Sequence, residues 1–133
     1  PNDPVNTGRA LVMLSNAGLI TLKNPQDPQS ATRDIVNNPH RFKIRELEGA
    51  MLARAVNQVD LAFIFANYAL EAGIDTDKAL LVEKGSDLYV EYLVARPDNI
   101  NDPGIQKLAK ALHSEAVRNF ILTRYKGKIL PGF

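Results

Sequence analysis

Polar Asn6-Thr7-Gly8-Arg9 gives way to the apolar run Ala10-Leu11-Val12-Met13-Leu14, which Gly18 closes. That sequence predicts a first helix with Asn6 as its N-cap and glycine at its end. Thr21 to Gln29 carries Pro25 and Pro28 among polar residues and reads as a surface loop. Ser30 is placed to cap a short helix through about Asn37, stopped by Asn38-Pro39, because the residue before proline is pushed out of helical geometry. Phe42 to Leu47 alternates apolar and polar, the period of a half-buried strand, and Ala50 to Gln58 reads as a short helix. Leu61 to Phe65 is continuously apolar and short, as a strand covered on both faces would be. Ala66 to Ala72 reads as two helical turns ended by Gly73, and Leu80-Leu81-Val82 and Leu88 to Ala95 as strands. Asp102-Pro103 starts a helix to about Leu112; Ser114 caps a last one to about Tyr125. The remainder, Lys126 to Phe133, carries Gly127, Pro131 and Gly132.

Short helices and strands therefore alternate, which predicts an α/β fold with a mostly parallel sheet flanked by helices. No internal repeat and no low-complexity tract interrupts the pattern. The chain of 133 residues has the size of one domain, long enough to bury a sizeable core. Its 16 basic and 15 acidic residues leave a formal charge of +1 without a basic block, which argues against nucleic acid as a partner. No apolar run reaches the roughly 18 residues of a membrane span. With no cysteine, disulfides and thiolate chemistry are excluded.

Enzyme chemistry finds little to work with. His40 and His113 are the only histidines, far apart and without zinc-type spacing; each reads as a solvated or capping residue. Nucleophile-elbow, phosphate-loop and dinucleotide motifs do not occur, and Asp75-Thr76-Asp77 lacks the glycine and glutamate of a calcium loop. Neither a catalytic constellation nor a metal site is expected. The first helix offers more. An Asn6 cap would leave the amides of Thr7, Gly8 and Arg9 pointing outward, with Gly8 removing bulk where an anion approaches and Arg9 adding a fork suited to a carboxylate. The same residue types also cap helices that bind nothing.

Several segments together carry a resemblance. Pro1-Asn2-Asp3-Pro4-Val5-Asn6 with Gly8-Arg9-Ala10-Leu11, Ala17-Gly18-Leu19-Ile20, Asp34-Ile35-Val36, Asn38-Pro39, Glu46-Leu47-Glu48, Asn67 to Gly73, Ala111 to Ser114 and Tyr125-Lys126-Gly127 resemble, in order and spacing, the methionine-binding lipoprotein (NlpA) family of ABC-transporter substrate-binding proteins. The resemblance implies a lobe of the type II periplasmic-binding-protein kind, in a two-lobed, non-catalytic receptor that closes around an amino acid and delivers it to an ABC permease, without a cofactor. It implies that residues 1–88 belong to the second lobe, lacking the strand that would precede Pro1. Residues 89–133 would then be the crossover strand and C-terminal helices that pack on a first lobe absent from this sequence. A leader and a lipid-modified cysteine would lie upstream, placing the protein in the cell envelope and making this chain a fragment, for which dimerisation or strand swapping is open.

By the same resemblance Arg9 would hold the ligand carboxylate, with Asn6 contributing an amide beside Gly8. Phe65 and Glu91 stand where methionine binders usually carry asparagines. Glu91 would meet the ligand amine, or a neighbouring Arg or Lys, or face solvent; Phe65 would wall a ligand side chain or join the core. The ligand is thus methionine or a related amine-bearing acid. A ligand-sensing domain of a regulator with the same two-lobed architecture is the alternative, on fold analogy alone.

Overall fold

The computed structural model describes residues 1–83 and 87–133. It divides into two compact units, Pro1–Leu80 and Leu81–Phe133.

The first unit opens with helix α1, Pro4–Asn16. Its cap is Asp3 rather than Asn6: the Asp3 carboxylate accepts the Asn6 backbone N–H at 2.9 Å, and Pro4 takes the first helical position. The pair Asp-Pro outcompetes Asn6 because proline has no N–H to leave orphaned and its φ is already helical. The helix C-cap is Ala17, and Gly18 follows at φ +73°, reversing the chain towards Ile20. Leu11, Ile20 and Leu22 form the core, each 3 % exposed or less, with Val12, Leu14, Ile35 and Phe42 packed around them.

The loop expected over residues 21–29 contains strand β1, Thr21–Leu22, and the helix expected from Ser30 to Asn37 is a tight 3-10 turn, Thr32–Asp34, followed by strand β2, Ile35–Asn37. The Asp34 carboxylate reaches back to the Ala31 N–H at 2.8 Å and closes that turn. The chain then leaves through β-branched Ile35 and Val36, which suit a strand better than a helix. β1 and β2 pair antiparallel, Thr21 opposite Asn37 and Leu22 opposite Ile35, with an irregularity between them.

This two-stranded antiparallel pair is the sheet of the described residues, in place of the mostly parallel sheet expected. The segments 42–47, 61–65, 80–82 and 88–95 form no ladder. Extended backbone becomes a strand only when a neighbour takes its N–H and C=O groups. At Phe42 both groups are already taken, by the Asn38 side-chain oxygen at 2.9 Å and amide at 3.0 Å. The segment from Leu88, expected as a strand, starts inside a 3-10 turn, Asp87–Tyr89, and Tyr92 and Val94 stand 75 % and 84 % exposed.

Helices α2, Gly49–Ala55, and α3, Ala66–Glu71, pack on each other and bury Leu52, Ala53 and Ala69. The second unit carries α4, Pro103–Leu112, and α5, Glu115–Tyr125. Both begin where local sequence places them: Asp102 accepts the Gly104 N–H at 2.7 Å, and Ser114 accepts the Val117 N–H at 3.3 Å. None of the described residues of this unit is buried.

The Asn6 backbone N–H, helped by the Asn6 side chain, holds the Asp3 carboxyl below its ordinary range. A carboxylate whose folded pKa is depressed stabilises the fold above its unfolded value and loses that effect as pH falls through the folded one. Asp3→Ala should therefore cost about 0.5–2 kcal/mol at pH 7. In urea unfolding, the gap to wild type should close as pH drops below about 4.

Candidate functional site

Moving the cap from Asn6 to Asp3 changes what the first turn can offer. The Asn6 N–H goes to the Asp3 carboxylate and the Thr7 N–H to the Asp3 carbonyl at 2.9 Å. The Asn6 side-chain amide donates to the same Asp3 carboxylate at 3.0 Å. The Thr7 hydroxyl is buried and donates to the Pro1 carbonyl at 3.0 Å. A carboxylate of the chain itself thus sits where the dipole of α1 would draw an anion. The outward amides at Thr7 and Gly8 expected from an Asn6 cap lie inside the helix instead.

Gly8 has a different reason to be glycine. It is buried, and a Cβ built there would stand 2.0 Å from the Pro28 carbonyl oxygen and 3.2 Å from that of Ser30. The loop 24–30 occupies the space that the sequence reading left for an anion. Asp27 braces this loop, accepting the Gln29 N–H at 2.9 Å, while its carbonyl accepts the Ser30 N–H at 3.1 Å. Ser30 itself is 3 % exposed. Loop and helix therefore fix each other, and this constraint sets where the next residue projects. Arg9 follows on the second turn of α1, half-buried.

Phe65 occupies the N-cap position of α3, half-buried, and makes edge-on contacts with Phe63 at 5.5 Å and Tyr68 at 6.0 Å between ring centroids. Gly49 lies under this group; an added Cβ would meet the Phe65 ring at 3.3 Å and the Tyr68 ring at 3.4 Å. Glu91 is exposed and belongs to the second unit. The five expected site residues thus fall in three places: Asn6, Gly8 and Arg9 on α1, Phe65 in the aromatic group, and Glu91 in the other unit.

Sequence reasoning did not anticipate two concavities of the first unit. One, about 590 Å³, is lined by Thr32, Ile35, Asn38, Phe42, Ile44 and Glu46. The other, about 330 Å³, is lined by Lys23, Asn24, Asp27, Ser30 and Asp34. None of the five expected site residues lines either. His40 lies in the turn after Pro39 with its ring 5.4 Å from Phe42, and His113 caps the end of α4. Asp75 accepts the Asp77 N–H at 3.1 Å and closes a 3-10 turn. Among the described residues no group of three or more His, Cys, Asp or Glu side chains converges as a metal site would require, and no helix is long and apolar enough to cross a membrane.

The family model described as NlpA lipoprotein matches residues 1–133. The chain is 37% identical, over its whole length, to a probable D-methionine-binding lipoprotein MetQ of Pasteurella multocida, of which it covers 49%. A solved periplasmic substrate-binding protein of an ABC transporter from Coxiella burnetii superposes on 99% of the chain with a TM-score of 0.89 at 39% identity, the chain covering 56% of it. A nutrient binding protein from Burkholderia cenocepacia, solved bound to methionine, matches all of the chain with a TM-score of 0.81 at 34% identity, with 57% of that protein covered. These similarities fix the fold class as an α/β lobe of the periplasmic substrate-binding kind. The chain spans about half the length of the curated relatives it matches.

Gly8→Ala should cost about 1–3 kcal/mol, the range for forcing an extra carbon into a packed site. An unchanged urea midpoint would show that the Pro28 segment does not rest on α1.

Proposed function

Because the chain belongs to the NlpA lipoprotein family, we propose that it forms the ligand-holding part of a substrate-binding protein that serves an ABC importer for methionine or a related amine-bearing acid. The observation that carries this reading is the match of all 133 residues to a protein solved bound to methionine. The names of the relatives favour transport over the regulator alternative, and a binding role over an enzymatic one. Within a family-length protein, residues 1–88 act as the second lobe and residues 89–133 as the crossover segment and helices that rest on the first. The working location is the cell envelope, a reading supported by the lipoprotein names of the relatives. Its partners are the amino acid and the permease.

Arg9 is the anchor of this mechanism. A guanidinium carries five donors, so it can hold a ligand carboxylate alongside contacts within the fold. Asn6, on the same helix, gives the ligand a carbonyl oxygen while its amide stays with Asp3. Phe65 presents the outer face of its aromatic group to the ligand side chain, and Glu91 meets the ligand amine. Gly8 acts underneath, by seating α1 on the Pro28 segment and so setting the helix face from which Arg9 projects. A charge-assisted contact contributes about 1.5–3 kcal/mol net, whereas micromolar affinity needs about 8 kcal/mol. Arg9 therefore decides which chemical class binds, and contacts across both lobes supply most of the affinity.

Two expectations follow for calorimetry with L-methionine and a panel of amino acids. In a family-length protein, Arg9→Ala should weaken the preferred ligand by about 10- to 100-fold, the equivalent of one charged contact; unchanged affinity removes Arg9 from the site. The 133-residue chain alone should bind methionine weakly or not at all; micromolar binding by it would contradict the two-lobe mechanism.

A further inference from the structure

After α5 the chain turns back on two residues of positive φ, Lys126 at 47° and Gly127 at 83°. Lys126 caps the helix by donating its N–H to the Leu122 carbonyl at 3.1 Å, and the Lys128 N–H donates to the Tyr125 carbonyl at 2.9 Å. The reversal carries Phe133 to the corner where α4 ends and α5 begins. There its ring centroid lies 5.0 Å from that of His113, the C-cap of α4, with the rings tilted by 52°. The Arg118 guanidinium, one turn into α5, stands 5.0 Å from the same ring. Arg118 is itself held by Glu115 at 3.6 Å. One residue earlier, Gly132 packs so closely that an added Cβ would stand 3.0 Å from a Val90 methyl.

Phe133 thus touches both helices at the one place where they are joined, by His113 and Ser114. This corner needs an external brace, because α4 and α5 contain no buried residue and so no core sets the angle between them. A ring tilted against one helix end and met by a guanidinium from the next supplies two attractive contacts. Tail position and helix angle are then linked. The apolar side chains Leu108, Leu112 and Phe120 of the two helices stand 41–59 % exposed.

We propose that residues 126–133 form a strap, and that the Phe133 ring, clamped between His113 and Arg118, fixes the angle at which α4 and α5 present their apolar faces. The strap acts within the second unit and does not depend on the identity of any ligand. Hydrogen exchange followed by mass spectrometry on the whole 133-residue chain tests it. Phe133→Ala should speed exchange of the amides of residues 109–118 about tenfold, the loss of one ring–ring and one cation–π contact, while the amides of Leu11, Ile20 and Leu22 keep their protection. Arg118→Met, which keeps the side-chain length but removes the guanidinium, should give a smaller acceleration over the same residues. Unchanged exchange at residues 109–118 in Phe133→Ala would overturn the proposal. So would acceleration spread evenly over both units, since that would show a general loss of stability.

Discussion

The carboxylate of Asp3 sets the register of everything that follows in the first unit. By taking both the backbone and the side-chain N–H groups of Asn6 it starts α1 at Pro4. From that start Leu11 falls on the core beside Ile20 and Leu22, and Gly8 falls against Pro28. A shift of one residue would turn the helix by about 100°, taking Leu11 off the core and placing a side chain where only glycine fits. Arg9 lies between these two fixed points, so its place on the helix surface is set with theirs. Where the backbone of Arg9 lies on the helix is therefore a consequence of a cap six residues away and a loop some twenty residues away.

How much of this was legible in the sequence follows from how local each signal is. The starts of α4 and α5 were readable because Asp102 and Ser114 cap helices with partners two or three residues away. The start of α1 was misplaced because two capping residues compete within four positions, and the choice turned on proline at the first helical position. The helix expected after Ser30 failed because Asp34, three residues beyond Ala31, closes a turn and Ile35 finds a strand partner in Leu22. The role expected of Gly8 failed for a tertiary reason: sequence shows that space is required there and does not show what fills it. The concavity beside Ile35 and Phe42 was invisible because its walls, all within residues 32–46, meet through a turn held by Asn38 and Phe42 rather than through a regular element with a periodic signal.

The candidate strands teach a further distinction. Leu61 to Phe65 has the pattern of a covered strand and Phe42 to Leu47 that of a half-buried one, and the path of the chain matches solved substrate-binding proteins with TM-scores of 0.81 and 0.89, yet none of the four candidate segments pairs. Alternation and apolar runs record what a segment is suited to pair with; the ladder itself needs a second segment. Phe42 shows the substitute, a side-chain amide from Asn38 filling the hydrogen bonds a neighbour would otherwise take. The same logic makes the second unit depend on contacts such as the Phe133 clamp, since its helices have faces but no core.

The most direct measurement is a calorimetric cycle on a family-length protein, combining the Arg9→Ala change with removal of the ligand carboxylate, as in methioninol compared with methionine. If the guanidinium holds that carboxylate, each change alone weakens binding by a similar factor and the two together cost little more than either one. If the two losses simply multiply, the guanidinium and the carboxylate do not meet, and the account of the first helix as the ligand anchor is wrong.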